Sequence, residues 1–341
     1  MTAIDAQSLH KDAIVIDACC PLWYEMAATP PTYLDLCKAG GYTVVATTIG
    51  GSQNCGQTMR AIGVWNGFIR ENRQYRLIRT AQDIRDAKSQ GQLGILYHFQ
   101  GTEPLEDSLD LVDTYKALGV GVIQLAYNTR NRFCDGSEEE GNAGLSRLGR
   151  KLVKRMNDAR VIVDVSHCGL RTSLEAVDAS ERTVIFSHAN VKAVHDIPRN
   201  ISDEQIKAVA GNGGSIGVLS YPPFVKPGGN PTVDDIVLHI DHIAQLVGID
   251  HVHVAMDYFH YQTPFASDEV QIALHAEMVR TGKWDPIQYT KPPYVYPRGV
   301  ETPDKLGNLT DAMVRRGYSE ADIRKVLGLN LVRIYEDVWG S

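Results

Sequence analysis

Eight short apolar runs punctuate this chain, with room for a helix between most neighbours, and that alternation limits the available folds more than any other feature. The runs are Ala13–Asp17, Tyr42–Ile49, Gly94–Gln100, Gly121–Tyr127, Val161–Val165, Val184–Ser187, Gly214–Leu219 and Val252–Met256. Short apolar runs bounded by helix-like sequence read as strands buried on both faces. Amphipathic stretches separate most of them. Leu109–Leu118, Asp203–Ala210 and Val233–Leu246 are three, and Leu145–Ala159 places Leu148, Leu152 and Met156 at helical spacing. Strands alternating with helices predict a parallel sheet, and eight of them predict closure into a (β/α)8, TIM-like barrel. An open doubly wound sheet is the rival. No Gly-x-Gly-x-x-Gly follows the first run, so a dinucleotide site has no support.

The 341 residues read as one domain, since α/β barrels routinely exceed the usual domain length. The stretch Tyr261–Arg298 breaks the alternation. It sets Pro264, Pro286, Pro292, Pro293 and Pro297 among aromatic residues, and is expected to be an ordered excursion acting as a lid or an interface piece. Helix returns after it, with a start at Thr302-Pro303 and a Ser-capped stretch over Ser319–Leu327. The formal charge of −7, without a Lys/Arg cluster, argues against a nucleic-acid surface. No run reaches 18 apolar residues, so no membrane span is expected. Met1 to Lys11 is polar and lacks the apolar core of a secretory signal. Six cysteines without a CxxC or zinc-ribbon spacing read as reduced thiols. A cytoplasmic protein acting on a small molecule fits these features.

Two of the runs end in Ser-His: Val161–Val165 leads into Ser166-His167, and Val184-Ile185-Phe186 into Ser187-His188. The histidines are 21 positions apart (188 minus 167), which puts them on adjacent strands at the mouth where barrel active sites form. A lone strand-end His is more often a hydrogen-bonded structural residue, whereas two in matched positions can converge on one metal ion. The last run ends in Met256-Asp257, bringing a carboxylate to the same mouth as a metal ligand, a general base or a helix cap. Arg199, in the loop after His188, offers a planar guanidinium suited to a substrate carboxylate.

Taken in order, several segments resemble the renal or membrane dipeptidase family, zinc peptidases on a metal-dependent-hydrolase barrel. They are Gly144-Leu145-Ser146 with Gly149-Arg150, Met156-Asn157, Asp164-Val165-Ser166-His167, Ser187-His188, Arg199-Asn200 with Asp203, Gly213-Gly214, and Met256-Asp257-Tyr258-Phe259. The similarity runs from Asp12 to Trp339. The resemblance implies that His167 and His188 bind zinc, that Arg199 holds the substrate carboxylate, and that Asp257 handles the proton at the scissile amide. It also implies a homodimer, for which the aromatic Tyr289–Tyr296 stretch is a contact surface if it is not a lid.

The chain departs from the family pattern at three places. The family's His-x-Asp after strand one is Cys19-Cys20-Pro21 here, leaving Cys19 as a thiol ligand and Pro21 with no donor. The bridging Glu after the third run is Gln100, a weak neutral ligand, with His98 one layer deeper on the same face. The family's substrate-polarising His is Tyr127, whose phenol can donate to an oxyanion. With so little negative charge a second cation is unfavourable, so the expectation is one zinc per chain or none. The leading function is a zinc dipeptidase-like hydrolase of a small carboxylate-bearing dipeptide or N-acyl amino acid. The alternatives are a non-peptidase catabolic enzyme on the same barrel and a metal-free ligand-binding pseudoenzyme.

Overall fold

A computed structural model describes residues 4–22, 32–259 and 266–340. The strands are β1 (Ile16–Cys20), β2 (Val44–Gly50), β3 (Tyr75–Ile78), β4 (Leu93–Phe99), β5 (Val120–Gln124), β6 (Ile162–Asp164), β7 (Val184–Ile185), β8 (Ile216–Val218) and β9 (Val252–Val254). All pairings between them are parallel, in the order β1-β2-β4-β5-β6-β7, with β8 paired to β9. A bridge between Phe186 and Ile216 joins β7 to β8. The cylinder closes where the Asp257 N–H donates to the Cys19 carbonyl at 3.0 Å and the Met256 N–H donates to the Asp17 carboxylate at 2.9 Å. The fold is the (β/α)8 barrel, with β3 as an addition outside the eight.

The structure departs from the sequence expectation at β1 and at β3. β1 begins three residues later than expected, because Ala13 caps the helix Ala6–Asp12, which Asp5 starts by accepting from the Gln7 and Ser8 amides. Cys19 and Cys20 therefore lie inside the strand rather than after it. The second is β3. β2 pairs along β4 from Gly94 to Phe99, so β3 (pairing residues 93–96) and β5 (pairing 97–99) must share the other edge. The Asn54-capped helix Cys55–Glu71 leads into it.

Alternation along the strands sorts the core into two layers. On β4, Ile95, Tyr97 and Phe99 join the outer cluster beneath the helices, while Leu96 joins an inner cluster with Val44, Ala46, Val122, Ile162 and Ile185. That inner cluster also holds Leu331, Ile334, Tyr335, Val338 and Trp339, so the final helix, Asn330–Trp339, plugs the lower end of the barrel. Burying five such side chains contributes about 10 kcal/mol. The plug needs Gly121, because a Cβ there would sit 2.6 Å from the Trp339 ring. Above the apolar layer the interior turns polar, with Thr48, His98, Gln124 and Asp164 all buried.

The helices expected at Leu109–Leu118, Leu145–Ala159, Asp203–Ala210 and Val233–Leu246 form at 111–118, 147–158, 203–211 and 233–247. The excursion, whose residues 261–265 lie outside the described ones, contains a helix at Asp268–Arg280. Among the described residues no helix is long and apolar enough to cross a membrane.

Candidate functional site

At the upper end of the barrel a cavity of about 310 Å³ opens among Gln100, Tyr127, His167 and Asp257 below, and Met278, Lys283, Trp284 and Tyr289 of the excursion above. Part of the excursion is thus a roof over the barrel mouth. Three residues beneath that roof follow strand ends with left-handed backbones: Asn128 at φ 61°, His167 at φ 58° and Asp257 at φ 52°. Such conformations cost about 1–3 kcal/mol each, and they cluster where side chains must be aimed.

The hydrogen bonds fix which nitrogen of each histidine carries its proton. Asp164 is fully buried, and its carboxylate accepts from the Ser166 N–H (2.9 Å), the Ser166 hydroxyl (2.7 Å), the Ser187 N–H (3.0 Å), the Ser187 hydroxyl and His98 Nε2 (3.1 Å). Burial pushes this carboxyl up, but the His98 contact and the other bonds outweigh it and hold it below the usual carboxylate range. Being ionised, it takes the single Ser187 proton. Ser187 Oγ must then accept from His188 Nδ1 at 2.8 Å, which leaves His188 Nε2 bare.

The proton of His167 is set from the opposite side, by Asn128. The Asn128 side-chain amine lies 3.0 Å from the Lys283 carbonyl, which can only accept, so the amide oxygen faces His167. His167 Nδ1, 2.5 Å from that oxygen, must carry the proton, and its Nε2 is bare as well. The two bare nitrogens face each other at 2.9 Å. Facing lone pairs repel unless a cation lies against both. Burial, with Arg199 adding to it, holds both imidazoles well below their ordinary pKa, which disfavours a shared proton. Their separation lies within the span of two zinc–nitrogen bonds of ~2 Å, so the donor pair fits one metal ion.

Cys19, His188 and Asp257 also converge, with ligand atoms within 4.8 Å of one another, and among the described residues they form the one such group of three. The Cys19 thiol donates to Asp257 Oδ1 at 3.5 Å and accepts from the Gln100 side chain at 2.9 Å. Burial pushes this thiol well up, so it is protonated. Burial also raises Asp257 to about 7, against the opposing pull of Arg199 and the Cys19 hydrogen bond. A second cation finds little charge here, since Gln100 is neutral.

Tyr127 stacks on the His167 ring at 4.3 Å, and its hydroxyl accepts from Trp284 Nε1 at 3.1 Å. Burial raises its pKa, so the phenol keeps a proton to donate. Arg199 is not in the wall of this cavity. It is 2% exposed, donates to the His188 carbonyl at 3.0 Å and lies 5.6 Å from the Phe224 ring centre, with Nε unpartnered. His98 is fully buried against Asp164 and does not reach the cavity.

Sequence reasoning missed Asn128 and Trp284, whereas Tyr289 lies in the aromatic stretch expected to be a lid or a contact surface. Asn128 follows Tyr127 directly, and its position just past a strand end was the available signal.

A family model described as membrane dipeptidase (peptidase family M19) matches residues 5–284. The chain is 25% identical over 284 residues to the dipeptidase verJ of Clonostachys rogersoniana, a match covering 82% of this chain and 65% of that protein. The chain thus spans just under two thirds of that relative's length. Among solved structures, an amidohydrolase from Pseudomonas aeruginosa is 33% identical with a TM-score of 0.86, covering 99% of this chain and 100% of that one. A metallo peptidase from Rhodobacter sphaeroides, 19% identical with a TM-score of 0.77 over 96% of this chain and 100% of its own, shares the fold. The family model covers most of the chain, and the chain belongs to the membrane dipeptidase family, peptidase family M19.

Proposed function

We propose that this protein is a mononuclear zinc hydrolase that cleaves the amide bond of a small, carboxylate-bearing dipeptide or N-acyl amino acid. The observation that carries the reading is the pair of bare, neutral imidazole nitrogens facing each other at 2.9 Å. His167 and His188 hold the ion, with Cys19 and Gln100 as weaker neighbours. Zinc there supplies a Lewis acid for the amide carbonyl and brings the pKa of water toward neutrality.

The chain's own groups do the rest. Asp257, poised at about 7 beside Cys19, is matched to taking a proton from the attacking water and returning it to the leaving amine. Tyr127 accepts from Trp284, which leaves its phenolic proton for the developing oxyanion. Arg199, buried behind the wall, attracts the substrate's carboxylate through its charge rather than by contact. The aromatic roof of Trp284 and Tyr289 covers part of the cavity and limits the approach of water to it.

Turnover of a dipeptide panel under saturating zinc tests this. Wild type should hydrolyse at least one member, and Asp257→Asn should lose at least about 100-fold in kcat, since an amide cannot accept that proton. Wild-type turnover in Asp257→Asn would reduce Asp257 to a structural residue and remove the centre of the mechanism.

A further inference from the structure

Asn128 grips the roof with one end of its side chain and an imidazole with the other. It is fully buried, and both amide hydrogens are used: one on the Lys283 carbonyl at 3.0 Å, the other on the Tyr289 hydroxyl at 2.8 Å. These partners lie 155 and 161 positions away along the chain. Its oxygen is 2.5 Å from His167 Nδ1, 39 positions away. An asparagine amide has two orientations, and only the one with oxygen toward His167 selects the Nδ1–H form. The choice is made at the far end, because a carbonyl can accept but never donate.

We propose that Asn128 is a positioning residue through which the docked excursion fixes the protonation form of His167. The roof orients the amide, and the amide decides which imidazole nitrogen is left bare toward His188. Once the roof no longer holds it, the amide is free to turn its amine toward Nδ1. The proton then belongs on Nε2, where it blocks a ligand position. The inference rests on the reading of His167 and His188 as metal ligands. It adds that the site's competence depends on a segment outside the eight-stranded frame.

Three variants test it. Asn128→Gly removes the amide and accepts the φ of 61° without strain, so the backbone is kept. Asn128→Asp keeps an acceptor for Nδ1–H but removes both donors to the roof. Tyr289→Phe removes one roof hydrogen bond alone. In ¹⁵N spectra of the metal-free protein, wild type and Asn128→Asp should show His167 with Nδ1 protonated and Nε2 bare, and Asn128→Gly should lose that signature. Zinc affinity, measured with the metal alone, should fall about 10–100-fold in Asn128→Gly and a few-fold in Tyr289→Phe. An Asn128→Gly protein with the wild-type imidazole signature overturns the proposal, and because the Lys283 carbonyl still orients the amide in Tyr289→Phe, loss of the signature in that variant overturns the assignment of the choice to that carbonyl. A wild type that takes up no zinc sinks the metal reading instead, and the metal-free spectra still decide the role of Asn128.

Discussion

Replacing Asp164 by Asn should disarm His188 without touching it. The Oδ1 position accepts two backbone N–H groups, from Ser166 and Ser187, which cannot turn away. The amide oxygen of Asn must stay there, so its amine takes the Oδ2 position against Ser187 Oγ and His98 Nε2. Ser187 then has to accept, which frees its own proton for His188 Nδ1, and His188 in turn keeps its proton on Nε2. A wrong imidazole form of this kind is what an amide in place of an orienting carboxylate produces. Two charge-assisted bonds at about 1.5–3 kcal/mol each are lost or become neutral, for a destabilisation of up to about 3–6 kcal/mol. That is a large share of a typical 5–15 kcal/mol, yet it leaves a folded majority. The assay is threefold: urea unfolding, imidazole ¹⁵N spectra and zinc titration, with zinc affinity falling about 10–100-fold or more. If the variant binds zinc like wild type while His188 Nε2 stays bare, the proton assignment through Ser187 is wrong.

Acid should weaken the fold through buried neutral histidines. His239 accepts from the Val191 N–H at 3.1 Å and donates to the Val225 carbonyl at 2.8 Å, and burial lowers its pKa to about 4. A lowered histidine pKa means the unfolded chain binds the proton first, so stability is lost as pH falls from about 6.5 toward 4, by about 2 kcal/mol between pH 7 and 5. His239→Leu should flatten the pH dependence of the unfolding free energy by that amount, and an unchanged slope would count against the assignment. Gln100→Glu should raise zinc affinity about tenfold, because a negative charge arrives beside Cys19 and the histidine pair. Calorimetric titration showing no gain would place Gln100 outside the metal's reach.

Much of the frame was legible because it is written locally. The eight runs and the helices at 147–158, 203–211 and 233–247 follow from period and capping alone. β3 was not, since Tyr75-Arg76-Leu77-Ile78 is four residues long and carries a charge. The roof helix at 268–280 escaped because Gln271 is its one buried residue, so it shows no apolar stripe. The histidines themselves stood out at their strand ends. Their protonation did not, because it is set by Asp164, Ser187, Asn128 and Lys283, which come together only in the folded chain. Arg199 was chosen as a contact for a substrate carboxylate, and its sequence position gave no hint that the guanidinium faces the His188 carbonyl.

The join between β9 and β1 is held, among the described residues, by one backbone hydrogen bond, Asp257 N–H to Cys19 C=O, helped by the Asp17 carboxylate. By contrast, β2 and β4 share six paired residues. A cylinder parts first along its sparsest seam, and here the two residues on either side of that seam are also the thiol and the carboxylate in mutual contact. Local opening is therefore not distributed evenly around the barrel. It is concentrated where a change of one bond alters the spacing of Cys19 and Asp257. The amide proton of Asp257 becomes a natural reporter of it, exchanging with solvent by opening of the seam while the β2–β4 amides wait for global unfolding.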